Sequence, residues 1–269
     1  MAVKHIVSFS GGLGSFSTAA DVIGRYGTED TVLVFCDTMI EHPDLYRFLY
    51  EAADKLGAQL VYLADGRDPW QVFHDRKYQG NTRLAHCTTE LKGKVFKNWL
   101  LSNYKPEECV LYLGFSVGEE HRLKTAENNW YPYRVKSPLT EPPYTSKSEV
   151  LNLLDELDIK MPELYTKGFL HNNCGGFCVK AGTKQFKKLL KEYPHVYIHH
   201  EAKQEKLKSE LKTFRPFLRM FKDKKTYYVT LKEFREYVES GGEVDPFEAP
   251  GCGCFTDFSL QSDIPVVEV

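Results

Sequence analysis

Two groups of residues in this chain of 269 have types and spacing suited to chemistry, a glycine- and serine-rich loop and a set of cysteines. The loop, SFSGGLGS at residues 8–15, follows an apolar run and precedes a helical pattern. Backbone N–H groups in such a loop, together with a helix N-terminus, form an anion site, to which the Ser10 and Ser15 hydroxyls add donors. The alternative is a tight turn with Ser15 as the N-cap of the helix. No Gly-Lys-Ser/Thr follows, so the loop is not of the Walker type.

Five of the seven cysteines lie in glycine-rich or helix-start segments: Cys87, Cys174, Cys178, Cys252 and Cys254. Thiolates in such segments bind zinc or an iron–sulfur cluster, and the spacing alone does not separate these two groups. A thiol at a helix start or on an accessible tail is also a candidate nucleophile, which applies to Cys252 and Cys254. Cys36 and Cys109 lie in apolar runs, where cysteine behaves as a small buried hydrophobe.

Polar residues follow two further apolar runs. Asp37 ends one run, where a carboxylate could reach a ribose, an adenine amino group or Mg²⁺, or could simply cap a turn. Glu119, Glu120 and Arg122 follow the other, in GFSVGEEHR, which starts at Gly114. Arg122 could bind phosphate or sulfate with two parallel hydrogen bonds, and a solvated loop with local ion pairs is the alternative.

The composition is that of an ordinary globular protein, with 42% hydrophobic and 27% charged residues and a net charge of -2. No apolar run is long enough for a membrane span, the start of the chain does not resemble a signal peptide, and the cysteine count is odd. These features predict a cytoplasmic protein without a disulfide framework or a membrane partner.

Residues 180–225 carry 14 Lys/Arg and 5 Asp/Glu. They form either a surface for a polyanion or the solvated face of amphipathic helices.

Apolar runs and helical patterns alternate along the first half of the chain. The predicted strands are His5–Phe9, Thr31–Cys36, Gln59–Leu63 and Cys109–Phe115, and the predicted helices are Ser15–Tyr26, Asp44–Leu56 and Leu91–Tyr104. This order predicts an α/β fold with a parallel sheet covered by helices on both faces, which binds ligands at the carboxyl ends of its strands. Later, Ser146 and Glu149 form a capping box. We predict a nucleotide-binding domain over 1–170 and a Cys-rich, Lys-rich C-terminal module of helices and loops over 171–269.

The ordered motifs resemble a known family. SFSGGLGS resembles the PP-loop, the SGGxDS-type motif of the adenine nucleotide alpha-hydrolase superfamily. HCTTELK, GFSVGEEHR, SPLTEPPYTSKSEVLNLLDELDI and MPELYTKGFLHNNCGGFC are similar, in this order, to segments of the phosphoadenosine phosphosulfate (PAPS) reductase family, over roughly residues 5–182. The chain departs from that family in three places. Gly14 replaces the motif's aspartate, the early segment has a single cysteine, and the Glu-Cys-Gly-x-His tail is absent.

The resemblance implies a five-stranded Rossmann-like (HUP-type) sheet that binds ATP, PAPS or adenosine phosphosulfate (APS). The residues expected to contact the nucleotide are Ser8, Ser10, Gly11, Gly12, Gly14, Ser15, Asp37, Gly114 and Glu119, with Arg122 near the phosphate or sulfate end. It also implies a [4Fe-4S] cluster on Cys87, Cys174 and Cys178, with Cys252 or Cys254 as fourth ligand. Zinc is the alternative metal, and His86 and His171 are alternative ligands.

Three functions are consistent with these residues. The first is ATP cleavage between the α and β phosphates, with Mg²⁺ as a further candidate cofactor. It would adenylate a nucleic-acid or small-molecule acceptor that then receives sulfur from a thiol or sulfide donor. The second is reduction of PAPS or APS, in which the Cys254 thiolate attacks sulfur. The third is a non-catalytic module that binds a nucleotide or nucleic acid and contains structural zinc.

Overall fold

The sheet contains five parallel strands in the order β3-β2-β1-β4-β5. A computed structural model describes residues 2–81, 83–222 and 225–245. The strands are β1 (Lys4–Ser8), β2 (Thr31–Asp37), β3 (Gln59–Ala64), β4 (Cys109–Tyr112) and β5 (Arg134–Lys136). In the register of the central strand, Val7 pairs with Leu33 on one side and with Tyr112 on the other. The predicted Rossmann-like α/β sheet is therefore confirmed.

Helices connect the strands and extend the chain beyond the sheet. They are α1 (Leu13–Tyr26), α2 (Pro43–Leu56), α3 (Pro69–Asp75), α4 (His86–Thr88), α5 (Val95–Asn103), α6 (Glu120–Trp130), α7 (Lys147–Glu156), α8 (Glu163–Thr166), α9 (Thr183–Glu192), α10 (Pro194–Glu210) and α11 (Leu231–Glu239). Short 3-10 turns lie at Pro138–Thr140 and Cys174–Gly176. Within the described residues, no helix is long and apolar enough to cross a membrane.

Two apolar cores cover the two faces of the sheet. Successive strand residues point to opposite faces, so Val7 belongs to one core and Ile6 to the other. On the first face, Phe16 of α1 and Phe48 of α2 pack in an edge-to-face pair. The other face is covered by α5 and α6, where Trp130 is 1% exposed. The prediction of helices on both faces is confirmed.

A third core joins the C-terminal helices to α3. Trp70 packs against Phe177, and the Trp70 indole N–H donates a hydrogen bond to His200 Nδ1 over 2.9 Å. His200 also stacks on Phe177, with ring centroids 3.9 Å apart. Burial lowers the pKa of His200 to about 3, so this histidine is a neutral packing residue at physiological pH. The domain boundary at residue 170 stays a prediction.

Two segments differ from the sequence expectation. The helix predicted to start at Leu91 begins at His86 and passes through a π-helical stretch, Thr89–Lys94, before α5. The lysine-rich helical region ends at Glu210 and is followed by an antiparallel hairpin, β6 (Leu218–Lys222) and β7 (Lys225–Val229). Each strand has only five residues, and only one face is packed, so the period-2 pattern was too short to identify from the sequence.

Candidate functional site

The main cleft lies where the loops after β1 and β4 diverge, which is the topological switch point of the sheet. Its volume is about 410 Å³. The lining includes residues that the sequence predicted as nucleotide contacts, namely Ser8, Ser10, Gly14, Ser15, Gly114 and Glu119, together with Arg122. It also includes residues that were not predicted as contacts, among them Lys92, Lys147, Tyr165 and Asn173.

The N-cap residue of α1 lies in the glycine loop and has no side chain with which to cap the helix. Gly12 is the N-cap residue and makes no side-chain hydrogen bond to the helix, and the Tyr165 hydroxyl accepts a hydrogen bond from the Leu13 N–H over 3.2 Å. Gly11 has a φ of +74°, and a Cβ there would lie 2.9 Å from Leu45 Cγ. Glycine is therefore required at residue 11 by both conformation and packing. The helix dipole and the lack of a capping side chain at Gly12 make this end of the cleft attractive to an anion.

Ser15 holds the loop in shape. Its hydroxyl donates to the Gly12 carbonyl oxygen over 2.9 Å and accepts from the Ser10 N–H over 3.2 Å. Asn172, which is 1% exposed, donates from Nδ2 to the Gly11 carbonyl oxygen over 2.8 Å. The simple N-cap role considered for Ser15 is not observed, because its hydroxyl bonds back into the loop. These contacts fix the backbone in advance, which reduces the entropy lost when a ligand binds.

The first turn of α1 touches the loop after β4 through two glycines. A Cβ on Gly14 would lie 2.9 Å from the Gly114 carbonyl oxygen. A Cβ on Gly114 would lie 2.8 Å from the Ser15 nitrogen. No side chain fits at either residue without a backbone shift. The space that the side chain of the motif's aspartate would need at residue 14 is therefore occupied by the backbone of Gly114.

Arg122 is held by two groups in the wall of the cleft. It forms an ion pair with Glu119, and its guanidinium carbon lies 4.4 Å from the centroid of the Phe115 ring. Nearby His171 also lines the cleft, and burial lowers its pKa, opposed by Glu119 and assisted by Arg122. The imidazole is consequently neutral at pH 7.

Asp37 lies at the carboxyl end of β2, as predicted, but its carboxylate is already engaged. It is 2% exposed and accepts hydrogen bonds from the Met39 N–H over 2.8 Å, from the Tyr46 hydroxyl over 3.0 Å, and from the Tyr62 hydroxyl. Burial, together with Asp37, raises the pKa of both tyrosines. Among the described residues, Asp37 is not part of the cleft lining.

Cys87, Cys174 and Cys178 line one recess of about 30 Å³. The structure therefore brings together the three cysteines that the resemblance assigned to a metal. Within the described ranges, however, no group of three or more His, Cys, Asp or Glu side chains is arranged to hold a metal ion. Cys252 and Cys254, the predicted fourth ligand and nucleophiles, lie outside the described residues. A metal on these thiols stays a prediction, and the described residues do not complete its site.

Lys92 lies between the cleft and the recess and lines both. It is 6% exposed, and its ammonium is 3.9 Å from Glu41 Oε1. Glu41 also accepts hydrogen bonds from the Thr38 hydroxyl over 2.8 Å and from the Cys174 N–H. Burial raises the pKa of Glu41, which Lys92 opposes. The sequence contained Lys92 inside HCTTELK but gave no sign that the π-helical stretch would place it in the cleft.

Cys36 also lines the cleft, although it was predicted to be structural. It is 7% exposed, and burial raises its pKa to about 12. Cys109 on β4 is buried too, with a pKa raised to about 11. Both therefore remain protonated thiols at neutral pH and are poor nucleophiles, which agrees with the structural role.

No family model and no curated protein matches the chain. Among solved structures, the chain is similar to phosphoadenylyl-sulfate (PAPS) reductase from Candida auris in a phosphate complex, at 13% identity. The match covers 63% of this chain and 79% of that one, with a TM-score of 0.42. It is also similar to NH3-dependent NAD synthetase from Campylobacter jejuni subsp. jejuni NCTC 11168 in complex with the nitrate ion, at 14% identity. That match covers 78% of this chain and 84% of that one, with a TM-score of 0.38.

Identities and TM-scores this low carry no argument about function. The strand order of the parallel sheet and the glycine loop between β1 and α1 are those of a Rossmann-like α/β fold.

Proposed function

We propose that the protein is an enzyme that binds an adenine nucleotide in the cleft and performs sulfur chemistry on it. The observation that carries this proposal is the glycine loop at the start of α1, whose N-cap Gly12 offers no capping side chain and which opens into a cleft at the switch point of the sheet. The phosphates would rest on the loop of residues 8–15, whose backbone is already fixed by Ser15 and Asn172.

The rest of the cleft supports this orientation. Lys92, Arg122 and Lys147 line it and supply positive charge for a phosphate or sulfate group. Its apolar lining includes Phe9, Leu13, Val34, Leu113, Phe115, Phe169 and Leu170, which suits a purine base. Asn173 also lines the cleft, and its Oδ1 is a buried acceptor without a hydrogen-bond partner in the described part of the chain. A nucleotide amino or hydroxyl group would satisfy this oxygen.

Two reactions compete at this site, and the charges in the cleft favour the second. Cleavage of ATP to AMP and pyrophosphate uses Mg²⁺, which binds carboxylate oxygens. Glu119 is the one carboxylate among the described lining residues, it is paired with Arg122, and the Gly14–Gly114 contact excludes an aspartate from the loop. Reduction of PAPS or APS has no such requirement. The structure therefore supports a sulfonucleotide substrate more directly than Mg·ATP.

In the sulfonucleotide version, a thiolate attacks the sulfate sulfur. The bond from sulfur to the phosphate oxygen breaks, the sulfonate is transferred to the cysteine, and the nucleotide phosphate leaves. A second thiol then releases sulfite as a disulfide forms, and an external dithiol reduces that disulfide. Cys254 remains the predicted nucleophile of the first step, and Cys252 is our proposal for the second thiol. Cys36 is unsuited to the first step because its raised pKa keeps the thiol protonated.

A cluster or zinc ion on Cys87, Cys174 and Cys178 remains part of the proposal. Such a group would supply redox or thiolate chemistry next to Lys92, which separates the recess from the cleft. Full closure of the site by four thiolates would instead favour the non-catalytic module with structural zinc.

The test uses full-length protein purified without oxygen, with iron, sulfide and zinc measured first. Binding of ATP and of PAPS is then measured by titration calorimetry, with Mg²⁺ and with EDTA, and products are analysed as AMP, pyrophosphate and sulfite. PAPS binding that is insensitive to EDTA, with sulfite release under a dithiol, would support the sulfonucleotide reaction. Mg²⁺-dependent AMP formation would support the ATP reaction. Nucleotide binding with stoichiometric zinc and no product would support the module, and the absence of nucleotide binding would refute the whole proposal.

Substitution of Lys92 by methionine gives a variant for the same assays, because it removes the charge that lines the cleft and keeps a similar length. Lys55→Gln on α2 is the control, since Lys55 is an exposed lysine outside the cleft lining. We expect weaker nucleotide binding only in Lys92→Met.

A further inference from the structure

The β6–β7 hairpin carries an unusual combination of exposed aromatic rings and positive charge. Phe221 is 71% exposed and Tyr228 is 60% exposed. The segment from residue 211 to 229 contains six Lys/Arg and one acidic residue. Neither the nucleotide cleft nor the cysteine recess includes any residue of this hairpin in its described lining.

The register places these features on one face. Arg219 is directly opposite Tyr228, and Phe221 is directly opposite Thr226. Because residues two apart share a face, Arg219 and Phe221 stand on the same side of the ribbon, and Phe221 and Tyr228 are diagonal neighbours. Diagonal neighbours lie about 7–8 Å apart.

The opposite face holds the hairpin to the protein. Leu218 is fully buried in the third core, and Met220 and Val229 pack against that core. Thr230, directly after β7, caps α11 and accepts a hydrogen bond from the Glu233 N–H. The exposed rings are thus presented on an anchored ribbon and are not part of a loose end.

The positive charges in and before the hairpin differ from those of α10 in their ion pairing. Among the described residues, no ion pair is formed by Lys212, Arg215 or Arg219, which are all exposed. On neighbouring α10, by contrast, Lys203 pairs with Asp68 and Lys206 with Glu210. The solvated-face explanation of the lysine-rich segment therefore fits α10, but it does not account for the hairpin.

We propose that the outward face of the β6–β7 hairpin binds single-stranded nucleic acid. Tyr228 and Phe221 would stack on bases, while Arg219 would contact a phosphate. Unpaired bases expose the π-faces that such rings need, whereas a duplex keeps its bases stacked inside, so the rings favour a single strand. The outward face of this two-stranded ribbon carries Arg219 and Thr226 beside the two rings, so it offers no continuous apolar surface for insertion into a lipid surface. The inference is independent of the nucleotide chemistry proposed for the cleft.

The test measures fluorescence anisotropy of a labelled 12-nucleotide oligo(U) and a labelled oligo(dT) with the full chain at two salt concentrations. We expect binding that weakens as salt rises. Tyr228→Ala and Phe221→Ala should each weaken binding at least fivefold, which corresponds to about 1 kcal/mol of stacking at one base. Arg219→Gln should weaken binding and reduce its dependence on salt. Circular dichroism verifies that each variant is folded.

Two α2 variants, Tyr50→Ala and Lys55→Gln, are matched controls, because Tyr50 is 53% exposed and Lys55 is exposed on a different face of the protein. Equal loss in control and hairpin variants would overturn the proposal, and so would the absence of binding to both oligonucleotides at low salt. A duplex of the same length bound as tightly as the single strand would overturn the stacking argument. Vesicles containing phosphatidylserine, bound in preference to oligo(U), would assign the face to lipid and refute it.

Discussion

The contact between Gly14 and Gly114 gives the sharpest test of the candidate site. Gly14→Ala adds one methyl group, whose carbon would lie 2.9 Å from the Gly114 carbonyl oxygen, closer than real contacts of this kind. The obstacle is backbone, so the clash cannot be relieved by rotation of a flexible side chain. Gly24 lies in the same helix, and a Cβ there would meet nothing within 4 Å. It is therefore a matched control.

The expected energies have opposite signs. Gly24→Ala removes the conformational freedom of a helical glycine, which should stabilise the protein by about 0.5–1 kcal/mol. Gly14→Ala is an overpacked substitution, which typically costs about 1–3 kcal/mol, and at the second residue of the helix little propensity is gained in return. The free energies of unfolding of the two variants should therefore differ by about 1.5–4 kcal/mol, and the phosphate loop of Gly14→Ala should be displaced.

Urea denaturation followed by tryptophan fluorescence measures the two free energies of unfolding. Calorimetry with PAPS or ATP measures nucleotide affinity, which should fall if the loop is displaced. Gly14→Asp, which restores the family's motif, should lose more stability than Gly14→Ala and should not gain Mg²⁺-dependent ATP cleavage. The reasoning is refuted by a Gly14→Ala protein that is as stable as Gly24→Ala and binds nucleotide like the wild type.

Three further predictions concern the cleft and the buried thiols of the sheet. His171 has a lowered pKa and is neutral at pH 7, so a bound anion should favour its protonation below pH 6.5. Nucleotide affinity, measured by calorimetry, should therefore rise as the pH falls through that range in the wild type. The rise should be smaller in His171→Gln. Cys36 and Cys109 should escape N-ethylmaleimide at pH 8 until the protein is unfolded, as read by peptide mass spectrometry; labelling of the folded protein at either thiol would contradict their raised pKa values. Tyr165→Phe removes the hydroxyl that accepts from the Leu13 N–H, and we expect it to lower the free energy of unfolding by about 0.5–1.5 kcal/mol. Saturating nucleotide should reduce this loss if a phosphate oxygen takes the place of the hydroxyl. An equal loss with and without nucleotide would argue against that replacement.

The sequence predicted two strands best, β2, which is buried along its whole length, and β3, which is a partly exposed edge strand. β2 and β3 begin at the predicted residues and extend one residue further, because long apolar runs with β-branched residues have few alternatives. β5 was missed because it has three residues, of which Val135 alone is buried. The glycine loop was identified because its position between a strand and a helix is a local property.

The remaining site residues depend on contacts between distant segments. Asp37 was placed correctly at a strand end, yet its partners Tyr46 and Tyr62 come from a helix and a neighbouring strand. Asn172 reaches Gly11 across 161 residues of chain. Neither set of contacts has a periodic signature. Local sequence patterns therefore could not reveal that the Asp37 carboxylate is hydrogen-bonded or that Asn172 binds the glycine loop.

The charges of the cleft connect these observations to its chemistry. An aspartate at residue 14 would place a negative charge beside the anion site, and the Gly14–Gly114 contact excludes it. Glu119 is neutralised by Arg122. The described wall therefore presents net positive charge, which favours a ligand that arrives with its own unneutralised anion over one whose phosphates are already paired with Mg²⁺. Lys92 lines both the cleft and the cysteine recess, so its ammonium, which is paired with Glu41, would lie between an anion held at the loop and the thiols.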